Sequence, residues 1–107
     1  MRMWMVDPKT LCRKHLLGEH VECHMFVGTI LQGKSLAGYK EKGLVEVHNL
    51  QDRHDQLSQE MSSRGYKHNS PLQSFESFRY GQVNDKNNLE VLRERCDECK
   101  ERQDWRG

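Results

Sequence analysis

Apolar residues in the first third of the chain recur at the spacing of an α-helix. The repeating positions are Leu11, Leu17, Val21, Met25 and Gly28. Residues three and four apart lie on the same side of a helix, so these positions form one stripe. The stripe predicts a first helix whose apolar face packs into the core.

Residues at both ends of this stretch set the expected limits of the first helix. Asp7 is a favoured N-cap, and Pro8 fits the first helical position. Gln32-Gly33 provides a fitting C-terminal cap, so the helix is expected to end near residue 31. Three glycines between residues 33 and 48 predict a loop with no more than a short turn of helix.

A second helix is predicted from Asn49 to Arg64, followed by a glycine that favours helix termination. Asn49 is expected to act as its N-cap, with Asp52 at the capping-box position. The apolar face of this helix carries Leu50, Leu57 and Met61, with His54 between them.

The last third of the chain predicts a long polar loop and then a third helix over roughly residues 86–102. Residues 73–88 are polar, with Phe75, Phe78 and Tyr80 as expected anchors of the loop. The helix is marked by Leu89, Leu92, Cys96 and Cys99. The predicted fold is therefore all-α: a three-helix single domain over residues 1–107, with long connecting loops.

Composition narrows the class of protein. The 107 residues are 35% hydrophobic and 31% charged, which allows only a small core. No apolar run approaches the roughly 18 residues of a membrane span, and the first residues do not resemble a secretory signal. We expect a soluble, cytoplasmic monomer that does not bind membranes. A net charge of +1 neither predicts nor excludes a nucleic-acid partner.

The centre of the first helix carries most of the candidate chemistry. His15, Glu19 and Glu22 fall on one polar stripe, and His20 and His24 fall on another. A carboxylate beside an apolar face can have a raised pKa and transfer protons, although an ordinary surface Glu22 would look the same. The two histidines have a zinc-binding spacing, which solvated or partly buried histidines also show.

Cysteine and histidine spacings leave a structural alternative open. Four cysteines without a signal sequence are expected to be reduced thiols. The pairs Cys12–His15, His20–Cys23 and Cys96–Cys99 could form a zinc site that joins the first and third helices. Equally, Cys96 and Cys99 fit the apolar face of the third helix, where cysteine packs as a small hydrophobic residue.

The segment from Lys14 to Glu22, with Val27-Gly28 after it, resembles the first helix of the endonuclease V-type pyrimidine-dimer DNA glycosylases. That family has a His-Leu-x-x-Glu-x-x-Glu segment leading to a Phe/Val-Gly step. Met1-Arg2 matches the family's catalytic first residue and the arginine after it. Gln32-Gly33-Lys34 and Arg64-Gly65-Tyr66 resemble two further family segments. The likeness covers about residues 1–70.

The resemblance implies a mechanism that needs no metal and no cofactor. The α-amine of Met1 would attack C1′ of the damaged nucleotide, releasing the base and leaving an imine. Met1 is expected to be retained because Arg2 is too large for removal of the methionine. Glu22 would stabilise the developing charge and move protons, ending in β-elimination and strand cleavage. Arg2 would hold a phosphate, and His15 would line the same pocket.

The family's two DNA-binding arginines are replaced by Val21 and Met25, which leaves the substrate open between a pyrimidine dimer and another modified pyrimidine. Duplex DNA in a bacterial or phage-infected cell is the implied partner. Two alternatives are a non-catalytic, possibly zinc-stabilised nucleic-acid-binding module, and a partner-binding protein that has lost the enzyme. The predicted catalytic residues are Met1 and Glu22, and the predicted substrate-binding residues are Arg2, Lys14, His15, Glu19, Lys34, Arg64, Lys67 and Arg95.

Overall fold

The computed structural model describes residues 1–67 and 70–105, and every regular element in these ranges is helical. This confirms the all-α prediction, although the described ranges contain five α-helices rather than three. No described helix is both long and apolar enough to cross a membrane. The helices are α1 (Arg13–Leu31), α2 (Ala37–Glu41), α3 (Leu50–Ser63), α4 (Asp85–Arg95) and α5 (Asp97–Asp104), with 3₁₀ turns at Pro8–Thr10 and Val47–Asn49.

The first helix begins later than predicted. Asp7 caps the 3₁₀ turn rather than α1, because its carboxylate accepts a hydrogen bond from Lys9 N–H at 3.0 Å. Leu11 is then extended, and α1 begins at Arg13. The predicted end at residue 31 is confirmed, and Gly33 has a φ of +71°, a left-handed conformation that glycine adopts readily.

The predicted buried face of α1 is wrong at two of its positions. Val21 and Met25 are 53% and 49% exposed, whereas Leu17 packs against the core and Leu11, which precedes α1, is buried. Glu19 and His20 are buried instead, because α3 supplies polar partners for both of them. The buried residues of α1 are Leu16, Glu19, His20, Cys23, Phe26 and Val27.

Helix α3 packs against α1 and presents the predicted apolar face. Leu50, Leu57 and Met61 are buried, and the helix ends before Gly65, which has a φ of +84°. The predicted capping box is absent. The Asn49 side chain makes no capping bond and donates instead to Glu46 Oε1 at 2.7 Å.

The predicted third helix is broken into two. Cys96 has an extended backbone, with φ −133° and ψ +108°, and separates α4 from α5. Its Sγ accepts a hydrogen bond from Cys99 N–H at 3.4 Å and so caps α5. At the start of α4, the Asn84 side chain accepts from Asn87 N–H at 3.0 Å.

The predicted loop of residues 73–88 is confirmed up to residue 84, because α4 begins at Asp85, and it packs beside residues 45–48. Val47 N–H donates to Tyr80 O at 3.0 Å. A Cβ at Gly81 would lie 2.1 Å from Val45 O, so a larger residue cannot occupy this position without movement of the backbone. Tyr80 packs against the core as expected, whereas Phe78 is 46% exposed.

Candidate active site

The amino terminus and Glu22 lie together, although they are far apart along the chain. The Glu22 carboxylate lies close enough to the backbone N–H of Arg2 and to the Met1 α-amine for both groups to lower its pKa. Burial of the carboxyl is the dominant effect and raises the pKa of Glu22, although the nearby positive charges oppose it. A primary amine and a carboxyl with a raised pKa therefore share one half-buried site.

A buried ion pair fixes the path of the amino-terminal segment. Arg53 Nε and Nη2 donate to the two carboxylate oxygens of Glu19 at 2.6 and 2.8 Å. Arg53 Nη1 also donates to Val6 O at 2.7 Å, and Met5 N–H donates to Glu19 Oε2 at 3.5 Å. Met5 has a φ of +60°, which is uncommon for a residue other than glycine. The pair thus holds a strained bend four to five residues from Met1.

Asn88 and Trp4 orient the side chain of Arg2. Arg2 Nη2 donates to Asn88 Oδ1 at 2.8 Å, and Asn88 Nδ2 donates to Trp4 O at 2.9 Å. The guanidinium carbon lies 3.7 Å from the centre of the Trp4 ring, a cation–π contact. Within the described part of the chain, the buried Nε of Arg2 has no hydrogen-bond acceptor.

Arg95 adds positive charge beside Arg2. Burial lowers the pKa of Arg2 most strongly, and repulsion from Arg95 lowers it further, which places the two guanidinium groups within electrostatic range. Arg95 is exposed at the end of α4. Two neighbouring arginines, one oriented and one exposed, form a suitable environment for a phosphate group.

The exposed face of α1 beside Glu22 combines apolar surface with a lysine. Lys14, Val21 and Met25 are separated by seven and four residues, so they project from one side of the helix. All three side chains are exposed. Lys14, one of the predicted substrate-binding residues, lies on this surface. Val21 and Met25 lie there at the two positions where the family has arginines.

His15 lies in a different environment from the one that the resemblance implied. Its Nδ1 is 3.1 Å from Cys12 Sγ and 3.4 Å from Cys99 Sγ. Its ring packs edge-on against Trp4, with 5.7 Å between the centroids. Burial lowers the pKa of His15, and the charge of Lys14 adds to this effect. The Trp4 ring contacts both His15 and Arg2 and so links the two residues.

Two predicted substrate-binding residues are engaged inside the fold. Glu19 is 1% exposed and bound by Arg53, as described above. Arg64 pairs with Glu60 at 2.8 Å, and its Nη2 donates to Pro8 O and Leu11 O at 3.1 and 2.8 Å. These contacts engage Glu19 and Arg64 within the fold, and the substrate contacts expected of both residues stay a prediction.

Lys34 and Lys67 are exposed near the C-terminal ends of α1 and α3. Lys34 follows the end of α1 at Leu31, which lies nine residues after Glu22, or about 14 Å along the helix axis. Neither lysine is brought to the Met1–Glu22 site by a contact in the structure, but both could reach a long ligand that extends beyond it.

The histidine pair of α1 gains a third member from α3. The ring centroids of His20 and His24 are 5.0 Å apart, and the His54 centroid lies 4.7 Å from His20 and 5.0 Å from His24. His54 Nε2 also lies 3.1 Å from Ser70 O. Cys23 is fully buried and belongs to neither this cluster nor the one around His15.

Sequence reasoning missed the residues that position the site. Arg53 appeared to be a polar residue of α3, and Asn88 carried no motif. Trp4 lies in an apolar amino-terminal stretch, which was a signal that this segment is buried. Arg53 and Glu19 were detectable only as two opposite charges on helices that pack together.

A family model described as "Pyrimidine dimer DNA glycosylase" matches residues 1–74 of the chain. The match includes the amino terminus, Glu22 and Arg53. It ends before α4, the helix that carries Asn88 and Arg95. No curated protein and no solved structure matches the chain.

Proposed function

Because the chain belongs to the pyrimidine dimer DNA glycosylase family, a family of DNA repair enzymes that act on DNA, we propose that it removes a damaged or modified pyrimidine and then cleaves the strand. The observation that carries this proposal is that Met1 and Glu22 are both half-buried and lie near enough for the charge of the α-amine to lower the pKa of Glu22. An amine nucleophile beside a carboxyl group is the arrangement that covalent glycosylase chemistry requires.

In the proposed first step, the neutral Met1 amine attacks C1′ of the target nucleotide. A bond forms between the amine nitrogen and C1′, and the bond from C1′ to the base breaks. The base leaves with that electron pair and takes up a proton. Loss of a proton from the nitrogen and opening of the sugar ring give an imine at C1′.

Glu22 is proposed to transfer the protons that these steps require. As a carboxylate it stabilises the cationic imine, and it can accept a proton from C2′ so that the 3′ phosphate leaves by β-elimination. The raised pKa of Glu22 supports this role, because proton transfer is most effective when the pKa approaches the working pH.

Arg2 and Arg95 are proposed to hold a phosphate next to the target nucleotide. Asn88 and Trp4 fix the Arg2 guanidinium, so little side-chain freedom is lost when a phosphate binds. Lys14 lies on the exposed face of α1 beside Glu22, and Lys34 and Lys67 would contact the duplex farther away.

Val21 and Met25 favour a substrate whose target base leaves the stack easily. Exposed apolar side chains can pack against unstacked bases, whereas they cannot neutralise phosphates. A dimer or another lesion that weakens stacking lowers the free energy needed to expose the base. The proposed substrates are therefore pyrimidine dimers or modified pyrimidines in duplex DNA.

Strand cleavage of an abasic duplex and of an ultraviolet-irradiated duplex tests the role of Glu22. Glu22→Gln should lower cleavage of the abasic duplex about 100-fold. Glu41→Gln, a change of an exposed carboxylate at the end of α2, is the matched control and should cleave as wild type does. Equal cleavage by wild type and Glu22→Gln would contradict the role of Glu22. DNA binding without any cleavage by wild type would favour a non-catalytic binding module.

A further inference from the structure

A second cluster of reactive side chains lies at the junction of the two ends of the chain. Cys12 precedes α1 and His15 is in its first turn, whereas Cys96 separates α4 from α5 and Cys99 is in the first turn of α5. The four ligand atoms all lie within 4.8 Å of one another. Family membership does not account for this cluster, because Cys96 and Cys99 lie beyond residue 74, where the family match ends.

The distances in the cluster fit a tetrahedral metal site. Cys12 Sγ lies 3.1 Å from His15 Nδ1 and 3.8 Å from Cys96 Sγ, and Cys99 Sγ lies 3.4 Å from His15 Nδ1. Ligands around Zn²⁺ at Zn–S of about 2.3 Å and Zn–N of about 2.0–2.1 Å are roughly 3.5–3.8 Å apart. We propose that Cys12, His15, Cys96 and Cys99 bind one zinc ion.

Backbone amides already point at the sulfur atoms, as thiolate ligands require. Cys12 N–H donates to Cys99 Sγ at 3.3 Å, and Cys99 N–H donates to Cys96 Sγ at 3.4 Å. Such bonds stabilise negative charge on the sulfurs and fix their orientation. Three thiolates and a neutral imidazole around Zn²⁺ leave a net charge of −1.

The site is structural rather than catalytic. Four protein ligands complete a tetrahedron, so no position remains for water or substrate. Zinc is the ion expected for three thiolates and an imidazole in this geometry. The ion links the start of α1 to residues 84 positions later in the chain. It thereby holds α4, which carries Asn88 and Arg95, against the amino-terminal segment.

The proposed zinc site also explains the extended backbone at Cys96. A continuous helix would place Cys96 and Cys99 on one helical face as apolar residues. The break instead directs both sulfurs toward Cys12 and His15, which gives a polar function to two residues that fit an apolar pattern.

Metal analysis of the full chain, purified without a histidine tag and under reducing conditions, tests the proposal. Wild type should contain zinc, and Cys96→Ser should contain one equivalent less. Cys23→Ala is the matched control, because it removes a buried cysteine outside the cluster and should leave the zinc content unchanged. Removal of zinc by a chelator should lower the melting temperature by about 10 °C or more. Neither the zinc content nor the melting temperature depends on catalysis. The zinc proposal is therefore tested independently of the proposed enzyme function.

Cobalt substitution identifies the ligands and separates this site from the histidine cluster of α1 and α3. Chelator-treated wild type titrated with Co²⁺ should show tetrahedral d–d bands and a thiolate-to-cobalt charge-transfer band. Both should persist in His24→Ala and in Cys23→Ala. This measurement uses wild type, so it remains decisive if Cys96→Ser is insoluble.

Three results would overturn the proposal. The first is wild type that contains no zinc and gives no thiolate band with Co²⁺. The second is metal that is lost in His24→Ala and kept in Cys96→Ser, which would place it at the imidazoles. The third is a disulfide between two of the cluster cysteines in protein purified under reducing conditions.

Discussion

Arg53 holds the Glu19 carboxylate with two nearly parallel hydrogen bonds of 2.6 and 2.8 Å, and both side chains are almost completely buried. The same guanidinium binds Val6 O, and the same carboxylate accepts from Met5 N–H. The ion pair therefore connects α1, α3 and the amino-terminal segment. It stabilises the fold and, through the bend at Met5, sets where Met1 lies.

Arg53→Met should destabilise the protein by about 3–5 kcal/mol, because it leaves the Glu19 carboxylate buried without its partner. Urea unfolding followed by circular dichroism measures this change. Arg93→Gln breaks the exposed pair with Asp104 and is the control, with an unfolding midpoint close to that of wild type. A similar midpoint for Arg53→Met and wild type would contradict the prediction.

Replacing both members of the pair separates stability from positioning. Glu19→Leu/Arg53→Leu removes both buried charges and should recover most of the stability that Arg53→Met loses. It also removes the partners of Met5 N–H and Val6 O, so cleavage of abasic DNA should stay well below that of wild type. Full recovery of both stability and cleavage would show that the pair does not position Met1.

The raised pKa of Glu22 predicts how stability depends on pH. The folded protein binds the Glu22 proton more tightly than the unfolded chain does, since burial raises the pKa above its usual value of 4.5. This contribution is present below the pKa of the unfolded chain and is lost as the pH rises through the pKa of the folded protein. The ionised form therefore destabilises the fold near neutral pH.

Glu22→Gln should consequently melt at a higher temperature than wild type at pH 7, and the difference should shrink toward pH 4. Thermal unfolding over this pH range measures the effect. Glutamine keeps the shape of the side chain and does not ionise. A variant that melts below wild type at pH 7 would contradict the prediction. The same change should lower activity, so stability and catalysis would change in opposite directions.

The exposed apolar residues of α1 predict a gain of DNA affinity on substitution. Val21→Arg/Met25→Arg adds two positive charges beside Glu22. Both positions are about half exposed, so the substitutions should change stability little. If both contact phosphates, the slope of log binding constant against log salt should become steeper by about 1.8. Fluorescence anisotropy with a labelled duplex at several salt concentrations measures the slope.

Leu31→Arg is the matched control for this prediction. Leu31 is also about half exposed, but nine residues separate it from Glu22, which places it on the opposite side of α1. One arginine there should change the slope far less than either arginine at 21 or 25. An equal change from all three positions would mean that the DNA does not bind the face beside Glu22.

The sequence predicted the positions of the helices better than it predicted which face of each helix is buried. Helix α3 follows a simple apolar pattern, and its buried apolar residues Leu50, Leu57 and Met61 were predicted correctly, whereas the buried Arg53 was not. In α1 the buried face includes Glu19 and His20, whose partners Arg53 and His54 come from another helix. Periodicity treats such positions as exposed, so it assigned the wrong face to the core.

The residues of the candidate site were likewise predicted only in part. Met1, Arg2 and Glu22 came from a family resemblance over the first part of the chain. Asn88 and Arg95 belong to α4, which the family match does not cover. The break at Cys96 was not visible in a pattern where cysteines count as apolar residues. The sequence left open whether Cys12–His15 and Cys96–Cys99 meet, and the folded chain brings these four residues together.

Borohydride trapping of the protein on an abasic duplex, with the adduct located by peptide mass spectrometry, tests the amine mechanism most directly. We expect a covalent adduct on the α-amine of Met1. Acetylation of that amine before the reaction should abolish the adduct. Strand cleavage without a trapped adduct, or an adduct on a lysine side chain with Met1 unmodified, would contradict the amine mechanism.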